Sequence, residues 1–489
     1  MTAGAAPPAP ALGAQLRALG GQSLVYGSAD AFAFALNVLL LPVYSSYLSA
    51  AQYGALALLL LFGSLAKIVV RLGLDAGFFR VHYDLEDEGE RRRLAGTAAL
   101  FSALAAALFL ALVALLRGPL TRALFGGGEG AAPAHWVVLV AADVSLGALL
   151  FVPLNLLRIQ DRPRLFSALS VFRHGLNAAL KVWLLARGGG VEGVLWGDLL
   201  STGALVLAVL PLLRGQAVPA LSRPLLREML GFGLPKVPHG LMVQVQNLAD
   251  RKVLDLFVTR AEVGLYHVGY TIGGAVKFAL SAFEPAWGPF VYSRLRQPDA
   301  PRTLARVASW AFAAFVLAAL GVSVFAGELL ALLTPRNPTL RAGAVVVPVV
   351  ALAYLLHGLF LLTSVGIGVA RAARRYPLIT AAAAAVNLLA NVVLIPRLGI
   401  LGAAWATVLS YACMAGLGYA LARRLYPIPF EGGRLLRIAL AGALAYALSL
   451  LAPAALLPRL AVKLAAVGAF PALLWALGEW RARRPGLAP

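Results

Sequence analysis

The sequence predicts an all-α polytopic membrane protein with about fourteen transmembrane helices, each roughly twenty residues long. Of its 489 residues, 61% are hydrophobic and only 13% are charged, whereas about 25% of the residues of an ordinary soluble protein are charged. Because so few polar residues could not cover several soluble domains, lipid is the solvent that fits this composition. The predicted architecture has two six-helix lobes, related by a parallel pseudo-two-fold repeat, and a C-terminal helix pair.

The predicted spans are apolar runs separated by short polar loops. They lie at 22–46, 54–79, 94–116, 135–157, 165–186, 193–213, 231–257, 263–291, 304–333, 340–363, 376–395, 400–421, 435–454 and 458–480. The resulting domains are an N-terminal segment 1–21, an N-lobe 22–213, a linker 214–230, a C-lobe 231–421, a terminal helix pair 422–480 and a tail 481–489. The first segment lacks a long apolar core, so we expect no cleaved signal peptide. No loop is long enough for a soluble catalytic domain.

The loops alternate in their content of lysine and arginine. One set of loops, which includes both terminal segments, holds 25 of these residues, and the other set holds 9. Cytoplasmic loops are the ones enriched in Lys and Arg, so both termini and the linker are predicted to be cytoplasmic, in a bacterial inner membrane. The net charge of +21 therefore indicates topology. It does not indicate a nucleic-acid partner, because few aromatic residues are interleaved with the arginines.

An internal repeat appears when the sequence is shifted by 210 residues. The shift aligns Asn37 with Asn247, Gly54 with Gly264, Lys67 with Lys277, Asn177 with Asn387 and Arg187 with Arg397, and a one-residue gap then aligns Gly193 with Gly402, Trp196 with Trp405 and Ser201 with Ser410. Six predicted spans separate the two copies. An even number of spans gives both copies the same orientation, so the axis that relates the lobes lies along the membrane normal.

Several basic residues fall inside predicted spans, where a charge is costly unless it faces a cavity or a partner. They are Lys67 and Arg71 on the second span, Arg173 and Lys181 on the fifth, Lys236 on the seventh and Lys277 on the eighth. The structural alternative is ion pairing or snorkelling. It is favoured for Arg71, Arg251 and Lys252, and both interpretations stay open for Arg173 and Lys181. Lys67 and Lys277 have no acidic residue within four positions, so a cavity is favoured for them. Because they are repeat counterparts, we expect them to face one shared cavity from opposite lobes.

The excess of intramembrane cations predicts an anionic ligand, and a diphosphate is a natural match for convergent Lys and Arg. A transporter of cationic drugs would instead need an acidic pocket. The acids assigned to ion coupling or ion pairing are Asp30, Asp75, Asp250, Asp255 and Glu284. Coupling to a proton gradient, a sodium gradient or the membrane potential is left open, and no cofactor or metal is predicted. The sequence contains no HExxH, GxxxxGK or GxSxG motif, so we expect no enzyme activity.

Five segments, spread over about residues 20–425, resemble motifs of one family. They are Leu41–Tyr44 with Gln52–Gly54, Arg71–Arg80, Asp250–Arg251 with Val263–Tyr266, Pro285–Phe290, and Asn387–Ala406. In this order they resemble the Wzx-like polysaccharide-synthesis flippases of the multidrug/oligosaccharidyl-lipid/polysaccharide exporter superfamily. The resemblance implies two bundles around a cationic cavity. It also implies alternating-access transport of an undecaprenyl-diphosphate-linked glycan, with the diphosphate in the basic cavity, the sugars in the aqueous interior and the lipid tail outside.

Three other functions remain open from the sequence. A lipid II flippase or a multidrug antiporter would belong to the same superfamily, and a membrane polymerase or ligase would belong to another class. The last of these would need a long periplasmic loop, which the sequence lacks. The expected partners are the lipid-linked oligosaccharide, the bilayer, and polysaccharide polymerase and chain-length proteins.

Overall fold

The computed structural model describes residues 36, 39–126, 132–160, 162–295, 297–370 and 372–477, and these are almost entirely helical, with no β-strand among them. The helices are α1 Leu41–Tyr47, α2 Ala50–Arg71, α3 Leu74–Asp84, α4 Glu88–Leu115, α5 Arg117–Phe125, α6 Ala134–Leu149, α7 Phe151–Ile159, α8 Pro163–Ala186, α9 Gly190–Val209, α10 Arg223–Gly233, α11 Val237–Phe257, α12 Arg260–Gly273, α13 Val276–Arg294, α14 Ala300–Val324, α15 Ala326–Leu333, α16 Val347–Thr363, α17 Val365–Val369, α18 Tyr376–Leu398, α19 Ile400–Leu425, α20 Gly432–Ser449 and α21 Leu456–Ala476. Short 3₁₀ helices cover Leu210–Leu213, Leu234–Lys236, Pro338–Val346 and Ala373–Arg375.

The helices form two compact units. Unit 1 contains the residues up to Tyr47 and Phe62–Val237, and unit 2 contains Leu48–Leu61 and the chain from Pro238 onward. The helix α2 therefore begins in unit 2 and ends in unit 1. The core of unit 1 is built around Phe78, Phe151 and Met229. The larger core of unit 2 includes Tyr266 and Phe315.

Nine helical segments within the described part of the chain are long and apolar enough to cross a membrane. The chain is therefore a multi-pass membrane protein. The predicted spans at 165–186, 231–257, 263–291 and 435–454 are helical but fall outside these nine. The first predicted span, 22–46, lies mostly outside the described residues, as do the segment 1–21 and the tail 481–489. The count of fourteen spans stays a prediction.

The predicted span 54–79 lies within the apolar helical segment Ala50–Asp84, but this segment is divided into two helices by a break at Leu72 and Gly73. Their φ angles are 48° and 73°, which is the left-handed region that a continuing α-helix cannot use. A Cβ on Gly73 would lie 2.2 Å from the carbonyl oxygen of Gly233. This close backbone contact with α10 requires glycine at the break. The predicted span 263–291 is also divided, into α12 and α13.

The helix starts support the predicted repeat. Helix α2 begins at Ala50 and α12 at Arg260, and α9 begins at Gly190 and α19 at Ile400. Both pairs are separated by the predicted shift of 210 residues. The helical hairpins α8–α9 and α18–α19 therefore occupy matching positions in the two copies.

The predicted linker 214–230 is largely packed against unit 1. Its second half forms the start of α10, whose Met229 is completely buried against α3 and α4. In its first half, the amide of Val218 donates to the carbonyl of Arg92 at 3.0 Å. The hydroxyl of Thr97 donates to the carbonyl of Ala220 at 2.9 Å. The segment is therefore an ordered part of unit 1.

Candidate functional site

A cavity of about 260 Å³ lies inside unit 1. It is formed by α2, α3, α6, α7 and α8. Its lining includes the side chains of four cations and two acids, and the remaining residues are mostly apolar. The lining residues are Lys67, Arg71, Asp75, Phe79, Asp143, Val144, Gly147, Leu150, Phe151, Leu154, Asn155, Arg158, Phe166 and Arg173. Three predicted substrate-binding residues, Lys67, Arg71 and Arg173, thus come together here.

One wall of the cavity is a polar stripe on α2 and α3. Lys67 and Arg71 lie one turn apart on α2, which places them on one helix face, and Asp75 follows in the first turn of α3. Arg71 Nη1 lies 3.3 Å from Asp75 Oδ2, so this ion pair bridges the break between α2 and α3. Within the described part of the chain, Lys67 makes no hydrogen bond or ion pair. Its electrostatic neighbours are Arg71, Arg173, Asp143 and Asp198.

At a second wall of the cavity, the buried hydroxyl of Thr202 forms hydrogen bonds with both a cation and an acid. Arg173 Nη2 on α8 donates to Thr202 Oγ1 on α9 at 3.2 Å. The same hydroxyl donates to Asp143 Oδ1 on α6 at 2.6 Å. Thr202 is completely buried, so its rotamer is fixed by packing. The hydroxyl therefore fixes both charged groups in relation to three helices.

Lys181 is one of the predicted binding residues, but it lies outside the lining of this cavity. Its Nζ is 2.7 Å from Asp198 Oδ1, and it also bonds the hydroxyl of Tyr44. Asn177 Nδ2 donates to the same Asp198 oxygen at 2.8 Å and to Ser201 Oγ at 2.9 Å. Lys181 is therefore buried with its charge compensated, as expected for a residue that ties α8 to α9.

Unit 2 contains a buried ion pair at the Asp250–Arg251 motif. The two side chains are 1% and 2% exposed, and Arg251 Nη1 lies 2.7 Å from Asp250 Oδ1. Arg251 also donates to the carbonyl of Asn247 at 2.6 Å, and its guanidinium lies 4.4 Å from the ring centre of Tyr270. The hydroxyl of Tyr266 donates to Asp250. This motif is structural, because the two opposite charges are buried against each other and the Asp250 carboxylate compensates the Arg251 guanidinium.

The remaining predicted site residues are dispersed. Lys236 lies 4.2 Å from the ring centre of Phe232 and does not line the cavity. In unit 2, Asp255 pairs with Lys252 at 3.3 Å, Glu284 is exposed, and Lys277 lies near His357. The predicted shared cavity of Lys67 and Lys277 stays a prediction, since the two residues belong to different units. Asp30 lies outside the described residues.

The sequence reasoning missed Asp143, Asp198 and Thr202. The signal was present, because both acids stand in apolar runs, and an ionisable residue within a span indicates function or a buried partner. Arg158 follows the predicted span 135–157 and so falls in a predicted loop, yet its guanidinium lies 4.5 Å from the ring centre of Phe166 at the edge of the cavity. Among the described residues, no group of three or more His, Cys, Asp or Glu side chains could hold a metal ion.

The fold is shared with solved flippases and exporters. It matches the lipid II flippase MurJ in an inward closed conformation with a TM-score of 0.71 and 12% identity, over 93% of this chain and 99% of that one. It matches an inward-facing MATE family multidrug resistance transporter of the MOP superfamily with a TM-score of 0.60 and 16% identity, over 86% and 95% of the two chains. It matches a point mutant of the MATE transporter VcmN from Vibrio cholerae with a TM-score of 0.52 and 19% identity, over 83% of this chain and 98% of that one. These likenesses define the class, a multi-pass membrane protein with the MurJ and MATE fold.

The family follows from the sequence. The profile of the family described as polysaccharide biosynthesis protein matches residues 46–333, which is more than half of the chain. The protein therefore belongs to this family, as the Wzx-like resemblance implied. No curated protein sequence matches the chain.

Proposed function

We propose that the protein is a flippase for an undecaprenyl-diphosphate-linked oligosaccharide. In this proposal it moves the cargo from the cytoplasmic to the periplasmic leaflet of the bacterial inner membrane by alternating access. The exported glycan then serves the synthesis of a surface polysaccharide, such as an O-antigen, a capsule or an exopolysaccharide. The observation that carries the proposal is the cavity of unit 1, where cations outnumber acids and Lys67 makes no hydrogen bond or ion pair among the described residues.

The charges of the cavity favour a multivalent anion. Leaving a cation unpaired in a region of low dielectric costs several kcal/mol, and an anionic ligand can remove that cost. Guanidinium groups bind phosphate oxygens in bidentate geometry, and an ammonium binds them as a point charge. Arg71 and Lys67 lie one turn apart on the same wall, so one diphosphate can contact both.

Transport requires that the cargo bind two conformations of the protein unequally. In this proposal the diphosphate is bound by Lys67, Arg71 and Lys277, the repeat counterpart of Lys67. A ligand that these cations bind more tightly in one conformation favours that conformation. The proposal includes coupling of transport to an ion gradient. Asp75 and Asp143, the acids beside the cavity cations, are the candidate coupling residues. Cytoplasmic termini and cooperation with a polymerase and chain-length proteins also belong to it.

The test is export of the surface glycan by cells that carry single and double variants. Lys67→Ala and Lys277→Ala should abolish export while the amount of protein in the membrane stays unchanged. Lys67→Arg should retain more export, because the charge remains. Lys252→Ala is the matched control, since Lys252 is an intramembrane lysine already paired with Asp255, and it should export normally. Normal export by the Lys67→Ala, Lys277→Ala double variant would contradict the proposal.

A second candidate is a lipid II flippase for peptidoglycan synthesis. It is favoured by the TM-score of 0.71 to MurJ, a lipid II flippase, and its cargo carries the same lipid diphosphate. Complementation separates the two candidates. Rescue of growth in cells depleted of their lipid II flippase would support the second, whereas loss of surface glycan on deletion, without rescue, would support the first. A multidrug antiporter is disfavoured, because the cavity is cationic.

A further inference from the structure

The cavity of unit 1 has two chemically different walls. Helices α2 and α3 contribute the polar stripe that begins at Lys67. Helices α6 and α7 contribute a second stripe, in which Gly147, Leu150 and Leu154 follow one another at intervals of three and four residues. Such spacing places these residues on one helix face. A charged surface and an apolar surface therefore border the same space.

The ends of the apolar stripe are charged. Asp143 precedes Gly147 by one turn, and Arg158 follows Leu154 by one turn. The ring of Phe166, on α8, extends the apolar surface and stacks with the Arg158 guanidinium. The apolar patch is therefore enclosed within a charged cavity, and it is not simply a surface that faces lipid tails.

The centre of the apolar stripe is open. A Cβ placed on Gly147, in the last turn of α6, would meet no atom within 4 Å. The absence of a side chain leaves room beside Leu150 and Leu154 that a ligand can fill. The cavity volume of about 260 Å³ is below the roughly 300 Å³ at which pockets begin to hold a whole drug-sized ligand. It therefore fits one part of a large cargo.

We propose that this cavity binds the junction between the diphosphate and the isoprenoid chain, with the first isoprenoid units against Gly147, Leu150, Leu154 and Phe166. The proposal rests on the proposed function and refines it by assigning the site to the lipid end of the cargo. A free phosphate or a nucleotide sugar would leave the apolar wall facing water, and a neutral hydrocarbon would leave the excess of cations over acids uncompensated. Only a ligand that is anionic at one end and apolar at the other satisfies both walls.

The assignment has a consequence for specificity. The cavity recognises the part of the cargo that all undecaprenyl-diphosphate-linked glycans share. Glycan selection then requires residues outside the cavity. Changes at Gly147 should alter the transport of every glycan equally, whatever its sugars.

The test measures the binding of soluble probes to the purified full-length protein in lipid nanodiscs. The probes are inorganic diphosphate, geranyl diphosphate and UDP-glucose, whose diphosphate carries polar groups on both sides. Geranyl diphosphate should bind at least about tenfold more tightly than inorganic diphosphate, because binding removes the apolar surface of its hydrocarbon chain from water. UDP-glucose should show no such gain.

Gly147→Leu fills the apolar space without a backbone clash and should remove the advantage of geranyl diphosphate. The result is the ratio of the affinities for geranyl diphosphate and inorganic diphosphate within the same protein, which should fall to about one in this variant. The matched control is Gly321→Leu, on α14 of unit 2, where a Cβ also meets no atom within 4 Å. That control should keep the full geranyl advantage.

Equal affinity for geranyl diphosphate and inorganic diphosphate in the wild-type protein would overturn the junction assignment and leave the proposed function intact. A geranyl advantage that survives in Gly147→Leu would also overturn it. Failure of the wild-type protein to bind any of the three probes would overturn both proposals. The wild-type comparison is decisive even if the Gly147→Leu protein does not fold.

Discussion

The cavity of unit 1 and the Asp250–Arg251 pair of unit 2 show two ways of placing charge in a membrane protein. The pair is almost completely buried, and the Arg251 guanidinium is enclosed by the pair's own carboxylate, a carbonyl and two tyrosine rings. In the cavity, Arg71 and Asp75 are 33% and 45% exposed and lie 3.3 Å apart. The comparison teaches that charge inside a span does not itself indicate binding. Binding capacity depends on whether neighbouring groups have already satisfied the charge.

The largest expected effect is on stability, in unit 2. Asp250→Ala would leave Arg251 buried without its carboxylate, and breaking a buried pair in this way typically costs about 3–5 kcal/mol. We expect little folded protein in the membrane, measured by size-exclusion chromatography after detergent extraction. If Asp250→Ala accumulated and exported glycan normally, the pair would not be the structural feature that the comparison requires.

An intermediate effect is expected at Thr202, where a buried hydroxyl serves the cavity of unit 1. Thr202→Val keeps the shape but removes the group that holds both Arg173 and Asp143, and an unsatisfied buried polar group costs about 1–3 kcal/mol. Inorganic diphosphate should bind less tightly, whereas Thr202→Ser should bind it nearly as the wild type does. Binding titrations beside thermal unfolding separate these contributions. A Thr202→Ser protein as impaired as Thr202→Val would show that packing of the methyl group matters, and not the hydroxyl.

The smallest expected effect on stability is at Asp75, the cavity acid that pairs with Arg71. Both side chains are partly exposed, so the pair should contribute at most about 1 kcal/mol. Asp75→Asn should leave the unfolding temperature nearly unchanged. It should raise the affinity for inorganic diphosphate a few-fold, because one competing carboxylate is removed from the cations. Weaker diphosphate binding in this variant would contradict the assignment of the cavity as an anion site.

The fold could be predicted from sequence because long apolar runs and basic loops reflect the bilayer directly. Most of the helix ends agree with those runs to within a few residues. The break at Leu72 could not be predicted in this way, since the predicted span 54–79 continues through it. It depends on contact between the backbones of Gly73 and Gly233, which are far apart in sequence.

The candidate site was predicted only in part. The sequence predicts Lys67, Arg71 and Arg173 as site residues, because a cation within an apolar run indicates a cavity or a partner. The sequence leaves the state of Lys181 open, because its carboxylate partner, Asp198, lies on the next helix and not within one turn of it. The sequence does not indicate the apolar wall around Gly147, because leucine and glycine are common in any helix that faces lipid. Only the structure shows that these residues border the same space as the cations.

The division of α2 between the units has a consequence for the modularity of the chain. The repeat is contiguous in the gene, with one copy after the other, but Leu48–Leu61 belongs to the unit that contains the second copy. There Gly54 packs against the carbonyl of Arg260, and its repeat counterpart, Gly264, packs against that of Ala50. A chain cut between residues 213 and 214 would therefore separate these glycines into different fragments. Neither half should fold alone, and the halves should accumulate only when both are synthesised in the same cell.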